Sequence, residues 1–196
     1  MTKVCLALMA TCLTAFTQEL AQGDRDRTLS HLHGTRKLLL DQVAGLTDAQ
    51  WKFKPADDKW SLAEVVEHLV LTEKGLFGMT VKVAHGPAVA TPPANKTTDE
   101  AILKMVPNRD TKVKAPDMFV PTGRFGTGEP LVQQYKDARA ATLDFTRTTK
   151  LDLRHHISDS PMGPTDCLQW LLFISAHNER HLAQIAEIKS DSKYPR

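Results

Sequence analysis

Pro87, Pro92, Pro93, Pro107, Pro116 and Pro121 break every sustained hydrophobic period between His85 and Gly128. Proline lacks an amide donor and clashes in a helix interior or a central strand, so this stretch cannot form one long element. Only Thr98 to Met105 keeps a helical period within it. An excursion of this length inside a compact domain is either functional or a long crossover between helices.

The flanking segments read as helices. The first runs from about Asp24 to Val43, with Leu29, Leu32, Leu38, Leu39 and Val43 grouped on one side, weakened by Gly34 and ended by Gly45. Thr47 and Gln50 form a capping box that opens a brief turn carrying Trp51, which Pro55 stops. A second main helix starts at Ser61, whose hydroxyl and the Glu64 carboxylate satisfy two orphan amides reciprocally; Leu62, Val65, Val66, Leu69, Val70, Leu76 and Phe77 supply its apolar face. The third begins near Pro130, at the one helical position where a missing amide hydrogen is harmless, and reaches about Thr149. The fourth follows Gly163-Pro164-Thr165 and continues to about Lys189, burying Leu168, Leu171, Leu172, Ser175, Leu182, Ile185 and Ile188. Four substantial helices and no convincing strand predict an all-α four-helix bundle with a long crossover between helices two and three.

Lys and Arg total 25 against 23 Asp and Glu, and the two signs are interspersed, so no basic stripe offers itself to a phosphate backbone and no nucleic-acid partner is expected. The N-terminus departs from the average. Lys3 precedes an uncharged run from Val4 to Thr17, then Gln18-Glu19, in the pattern of a secretory signal peptide. Residues 1–21 are therefore expected to be a signal peptide or a non-core segment, and residues 22–196 the domain. The expected location is exported, periplasmic or secreted; the alternative is a cytoplasmic chain whose N-terminus adds a helical turn to the bundle. Thr11 and Thr14 interrupt a run already too short for a span of about twenty apolar residues, so no stable membrane span is expected. Cys5 and Cys12 lie in that run, which leaves Cys167 without an internal partner; it reads as a small buried apolar residue.

The sharpest chemical feature is His177-Asn178-Glu179-Arg180-His181, because residues four apart share a helix face and two imidazoles can converge on one ion. Asn178 stands where a zinc protease carries its glutamate base, so that motif is excluded. A third imidazole, His68, lies beside Leu69 and Val70 in the helix that Ser61 caps. Spacing leaves two readings open: a core histidine bonded to a carbonyl or carboxylate, or the third ligand of a three-nitrogen site with positions left for water or substrate. Glu64 is accounted for by its capping role, although it lies one turn before His68. Glu67 and Glu179 project away from the neighbouring histidines and are expected to be solvated or at an interface. The His155-His156 and His31-His33 pairs are expected to be exposed, and Arg124 is placed in the crossover where it could meet an anionic substrate.

Several segments together resemble the DinB-like (YfiT-like) family. Trp60-Ser61-Leu62-Ala63-Glu64-Val65-Val66-Glu67-His68-Leu69 resembles its helix-two signature ahead of the first metal histidine. Ala115-Pro116 through Pro121-Thr122-Gly123-Arg124-Phe125 is similar to its loop before helix three, and Gly163-Pro164-Thr165 leading to His177, His181 and Gln184 to its last helix. The resemblance implies a four-helix bundle, a divalent metal ion (zinc or nickel) on His68, His177 and His181, and a homodimer. It also implies a small-molecule substrate, with either metal-dependent hydrolysis or transfer and isomerisation on low-molecular-weight thiols. An exported chain would not meet the reduced thiol pool, which favours a hydrolase using metal-activated water. A thiol-dependent transferase or isomerase and a non-catalytic metal-binding interaction module are the alternatives. The sequence nominates no general base.

Overall fold

The computed structural model describes residues 19–110 and 112–196. The expected signal segment lies, as far as residue 18, outside the described residues.

Four long helices form the bundle: α1 (Gln22–Val43), α3 (Leu62–Ala84), α5 (Glu129–Thr148) and α6 (Cys167–Lys189). Two short ones, α2 (Asp48–Lys52) and α4 (Asp99–Met105), lie in the connections. Helix α3 packs on α5 and α6, and α1 packs on the same two, so α1 and α3 occupy one diagonal and α5 and α6 the other. The crossover from α3 to α5 lays α4 against α6 and a 3-10 turn, Asp117–Phe119, against α3. No helix among the described residues is long and apolar enough to cross a membrane.

Both capping boxes are present, Thr47 with Gln50 and Ser61 with Glu64, and Pro130 lies in the first turn of α5. Gly45 ends α1 with φ +67°, a conformation that a side chain disfavours. The apolar face of α1 is narrower than expected: Leu32, Leu39 and Val43 are buried, but Leu38 is 50% exposed. Adjacent helix positions point about 100° apart, and Leu38 falls outside the narrow stripe that Leu32, Leu39 and Val43 bury.

A short antiparallel hairpin precedes α6, pairing β1 (Ile157–Ser160) with β2 (Gly163–Asp166) in the register Ile157 to Asp166. Its eight residues are mostly small and polar, with no apolar alternation to announce a strand. The hairpin delivers Asp166 as the cap of α6, in a capping box with Gln169. It also corrects the expected exposure of His155 and His156. His156 is 9% exposed and its Nδ1 has no partner, while half-buried His155 bonds Asp152 at 2.7 Å through Nδ1. The cause is Leu153, fully buried two residues before His155, which pulls the polar stretch inward. Of the His31-His33 pair, His33 is exposed and His31 is half-buried beside Glu179.

Two apolar clusters fill the bundle, one around Leu39, Leu62, Leu69, Leu131 and Ile185, the other around Leu32, Leu143, Leu168 and Leu171. Leu20, at the start of the described residues, belongs to the second. A fully buried ion pair joins the helices: Arg139 donates to Glu73 at 2.6 and 3.0 Å, and to the Leu32 carbonyl and Thr35 hydroxyl. Arg154 binds Asp24, Asp99 and Asp166, tying α1, α4 and α6 together. Burial alone would raise the Asp99 carboxyl, but Arg154 overrides it and holds the group at about 2.

Candidate metal centre

His68 on α3 and His177 and His181 on α6 meet where these two helices pack. The four-residue spacing puts His177 and His181 on one face of α6, with Nε2 atoms 3.2 Å apart. His68 faces them with Nε2 3.4 Å from His177 Nε2, and the ligand-capable atoms of all three lie within 4.8 Å of one another. Among the described residues, no carboxylate or thiol belongs to the cluster.

Each outer ring is oriented by its second nitrogen. His68 Nδ1 lies 2.8 Å from the Phe119 carbonyl, and a carbonyl can only accept, so Nδ1 carries the hydrogen and Nε2 is left with its lone pair. His181 Nδ1 lies 2.8 Å from Gln184 Oε1, which also accepts from Arg109 Nη1 at 3.4 Å, with the same consequence for the His181 Nε2. Two lone pairs therefore point at His177 Nε2. A proton there can satisfy one of them, whereas a cation satisfies all three nitrogens. The spacing suits an ion as well, since two nitrogens each 2.0–2.1 Å from one tetrahedral centre stand about 3.3–3.4 Å apart. The donor set thus fits a divalent metal.

Burial disfavours protonation at all three rings. It pushes His68 below its usual range. Burial and the neighbouring His181 and His68 push His177 far down, and burial and His68 bring His181 to about 3. Neutral imidazoles are what a metal requires. Trp60 covers one side of the cluster, 4.8 Å from the His68 ring, and Phe173 stacks on His177.

Glu64 caps α3 and pairs with Lys54, as its capping role requires. Glu67 departs from expectation: it is 1% exposed and accepts the backbone amides of Thr122 and Gly123 at 2.9 and 2.8 Å. The crossover folds over that face of α3, which helical periodicity within α3 could not show. Arg124, exposed, reaches back to within 3.6 Å of Glu67. Glu179 is half-buried with His31 3.9 Å away, and burial raises its carboxyl. Missed altogether were the Phe119 carbonyl, which no sequence signal marks, and Arg109, which binds Glu187 as well as Gln184.

Residues 31–185 match the family described as the DinB superfamily. The chain is 27% identical over 150 residues to YuaE, an uncharacterized protein of Bacillus subtilis, covering 76% of this chain and 89% of YuaE. It is 29% identical over 115 residues to a probable tRNA sulfurtransferase of Streptococcus sanguinis, covering 54% of this chain and only 28% of that protein. Among solved structures it is similar to YfiT of Bacillus subtilis, with a TM-score of 0.59 at 15% identity, covering 91% of this chain and 93% of that one. YfiT is described as a probable metal-dependent hydrolase with an unusual four-helix bundle topology.

Proposed function

The chain belongs to the DinB superfamily, and from that premise we propose that it is a metal-dependent hydrolase of a small-molecule substrate. His68, His177 and His181 hold one divalent ion, zinc or nickel. The observation that carries this reading is the pair of lone pairs, fixed by the Phe119 carbonyl and the Gln184 amide, that converge with the third nitrogen. The likeness to YfiT, described as a probable metal-dependent hydrolase, supports it.

Bound there, the ion supplies Lewis acidity that lowers the pKa of a water molecule to about 7. The chain's own contribution is to keep three imidazoles neutral, so that none of the ion's charge is cancelled by its ligands. Phe119 and Gln184 hold the outer rings in one tautomer, and Trp60 and Phe173 limit water on two sides. The reading further includes export and a homodimer, which rest on the N-terminal sequence and the family resemblance.

A thiol-dependent transfer is the second reading, favoured by one observation. Glu67 is committed to two backbone amides, and among the described residues no carboxylate joins the cluster as a general base beside the imidazoles. A thiolate, already anionic, needs none. The test is turnover of ester, amide and thiol substrates by tag-free protein, with and without chelator. Chelator-sensitive ester or amide hydrolysis supports the hydrolase, and turnover only with thiols supports the transferase. Bound metal without turnover, with a large fall in Tm on chelation, would identify a non-catalytic module.

A further inference from the structure

Three contacts on α3 converge on one crossover turn, two on its backbone and one on the Phe119 ring. At its first end, the ring of Phe119 lies in a notch at Gly75: a Cβ there would stand 2.5 and 2.9 Å from two ring carbons, closer than carbon atoms approach. At its second end, the buried Glu67 carboxylate accepts the amides of Thr122 and Gly123, one on each oxygen. Hydrogen bonds to a charged acceptor are about twice as strong as neutral ones. The turn is itself stiff, since Phe119 N donates to the Pro116 carbonyl at 2.8 Å, Val120 N to the Asp117 carbonyl at 3.2 Å, and Pro121 follows. Between the two pinned ends the Phe119 carbonyl meets His68 Nδ1.

We infer that Gly75 and Glu67 are positioning residues for the metal centre, which seat the Asp117–Gly123 turn so that the Phe119 carbonyl locks His68 with its hydrogen on Nδ1. The inference rests on the proposed metal role of the three histidines. Neither residue touches the cluster's ligand atoms; each acts through the turn. A free imidazole side chain favours the hydrogen on Nε2, which would cover the lone pair that faces His177. Seating the turn removes that alternative before any ligand arrives. It also explains why a carboxylate is buried one residue before His68, where helical geometry points it away from the cluster: its partners are the turn's amides. Outer partners of metal-bound histidines typically control metal affinity by 10–100-fold.

The test compares the tag-free full chain with Glu67→Gln, Gly75→Ala and a control, Ile102→Val, which trims a buried side chain under α4. Side-chain 15N shifts of the metal-free proteins report the His68 tautomer, and cobalt(II) titration reports affinity and the visible absorption of the site. The parent and control are expected to hold His68 with hydrogen on Nδ1 and to bind cobalt alike. Each of the other two is expected to shift His68 towards the Nε2 form, to bind cobalt about 10–100-fold more weakly and to change its absorption envelope. Unchanged tautomer and affinity in both Glu67→Gln and Gly75→Ala would overturn the inference. A parent that takes up no cobalt overturns the metal reading instead, and the 15N shifts of the metal-free variants still decide whether the turn sets the tautomer.

Discussion

The Nε2 atoms of His177 and His181 stand 3.2 Å apart, one turn from each other on α6, and His68 reaches the same point from α3. Burial penalises a proton's charge on each of the three rings, so the cluster stays neutral where its lone pairs converge.

That penalty sets the pH dependence. Burial and the His68 ring bring His181 to about 3, burial and the two neighbouring rings depress His177, and burial alone depresses His68, against about 6.5 for a free histidine. In the metal-free protein the unfolded chain therefore binds more protons across that window, and stability falls as pH drops from about 6.5 towards 3. Protons compete for the same nitrogens as the ion, so the loaded protein is expected to keep its metal at about pH 5 and lose it in stronger acid. Metal content after desalting at each pH checks this; release centred near the free-histidine value would contradict the depression.

Cys167 is fully buried, and burial together with the Asp166 charge pushes its thiol up to about 12. The thiolate is the reactive form, so alkylation of the Cys167 peptide in native protein is expected to be negligible at neutral pH and complete in denaturant. Peptide mass mapping reads this directly; rapid native labelling would show that the helix end opens.

Removing one partner of the Arg139–Glu73 pair leaves a buried charge without compensation. Arg139→Met is expected to cost about 3–5 kcal/mol in denaturant unfolding. A loss under about 1 kcal/mol would mean that water or a rearranged neighbour reaches Glu73.

His155 and His156 lie outside the cluster, although neither is as exposed as the polar sequence around them suggests. Replacing both by Ala is expected to leave metal stoichiometry unchanged and to lower Tm, because His156 is buried just before the hairpin's first strand and His155 bonds Asp152. Loss of metal in that double variant would extend the site beyond α3 and α6.

The helices were legible because caps and period act locally: Ser61 with Glu64, Thr47 with Gln50 and Pro130 each sit where residue chemistry alone puts a helix start. The triad was legible as a spacing on α6 and a lone imidazole on α3. What escaped depends on contacts between distant segments. Glu67 is buried only because the crossover returns over it, and the Phe119 partner of His68 is a backbone carbonyl, which every residue has. The hairpin before α6 escaped because Ser158, Asp159, Ser160 and Gly163 carry no strand propensity; pairing alone makes them extended.

The most direct measurement is metal stoichiometry of tag-free parent, His68→Ala, His177→Ala and His181→Ala, purified alike and quantified by plasma mass spectrometry alongside thermal unfolding. The parent is expected to carry one divalent ion per chain. Each variant, left with two imidazoles, should lose it, together with the stabilisation that binding lends the fold, about 4 kcal/mol at a thousandfold excess over Kd. A His68→Ala protein that still held one equivalent as tightly as the parent would contradict the three-histidine centre and return His68 to the role of a core residue bonded to Phe119.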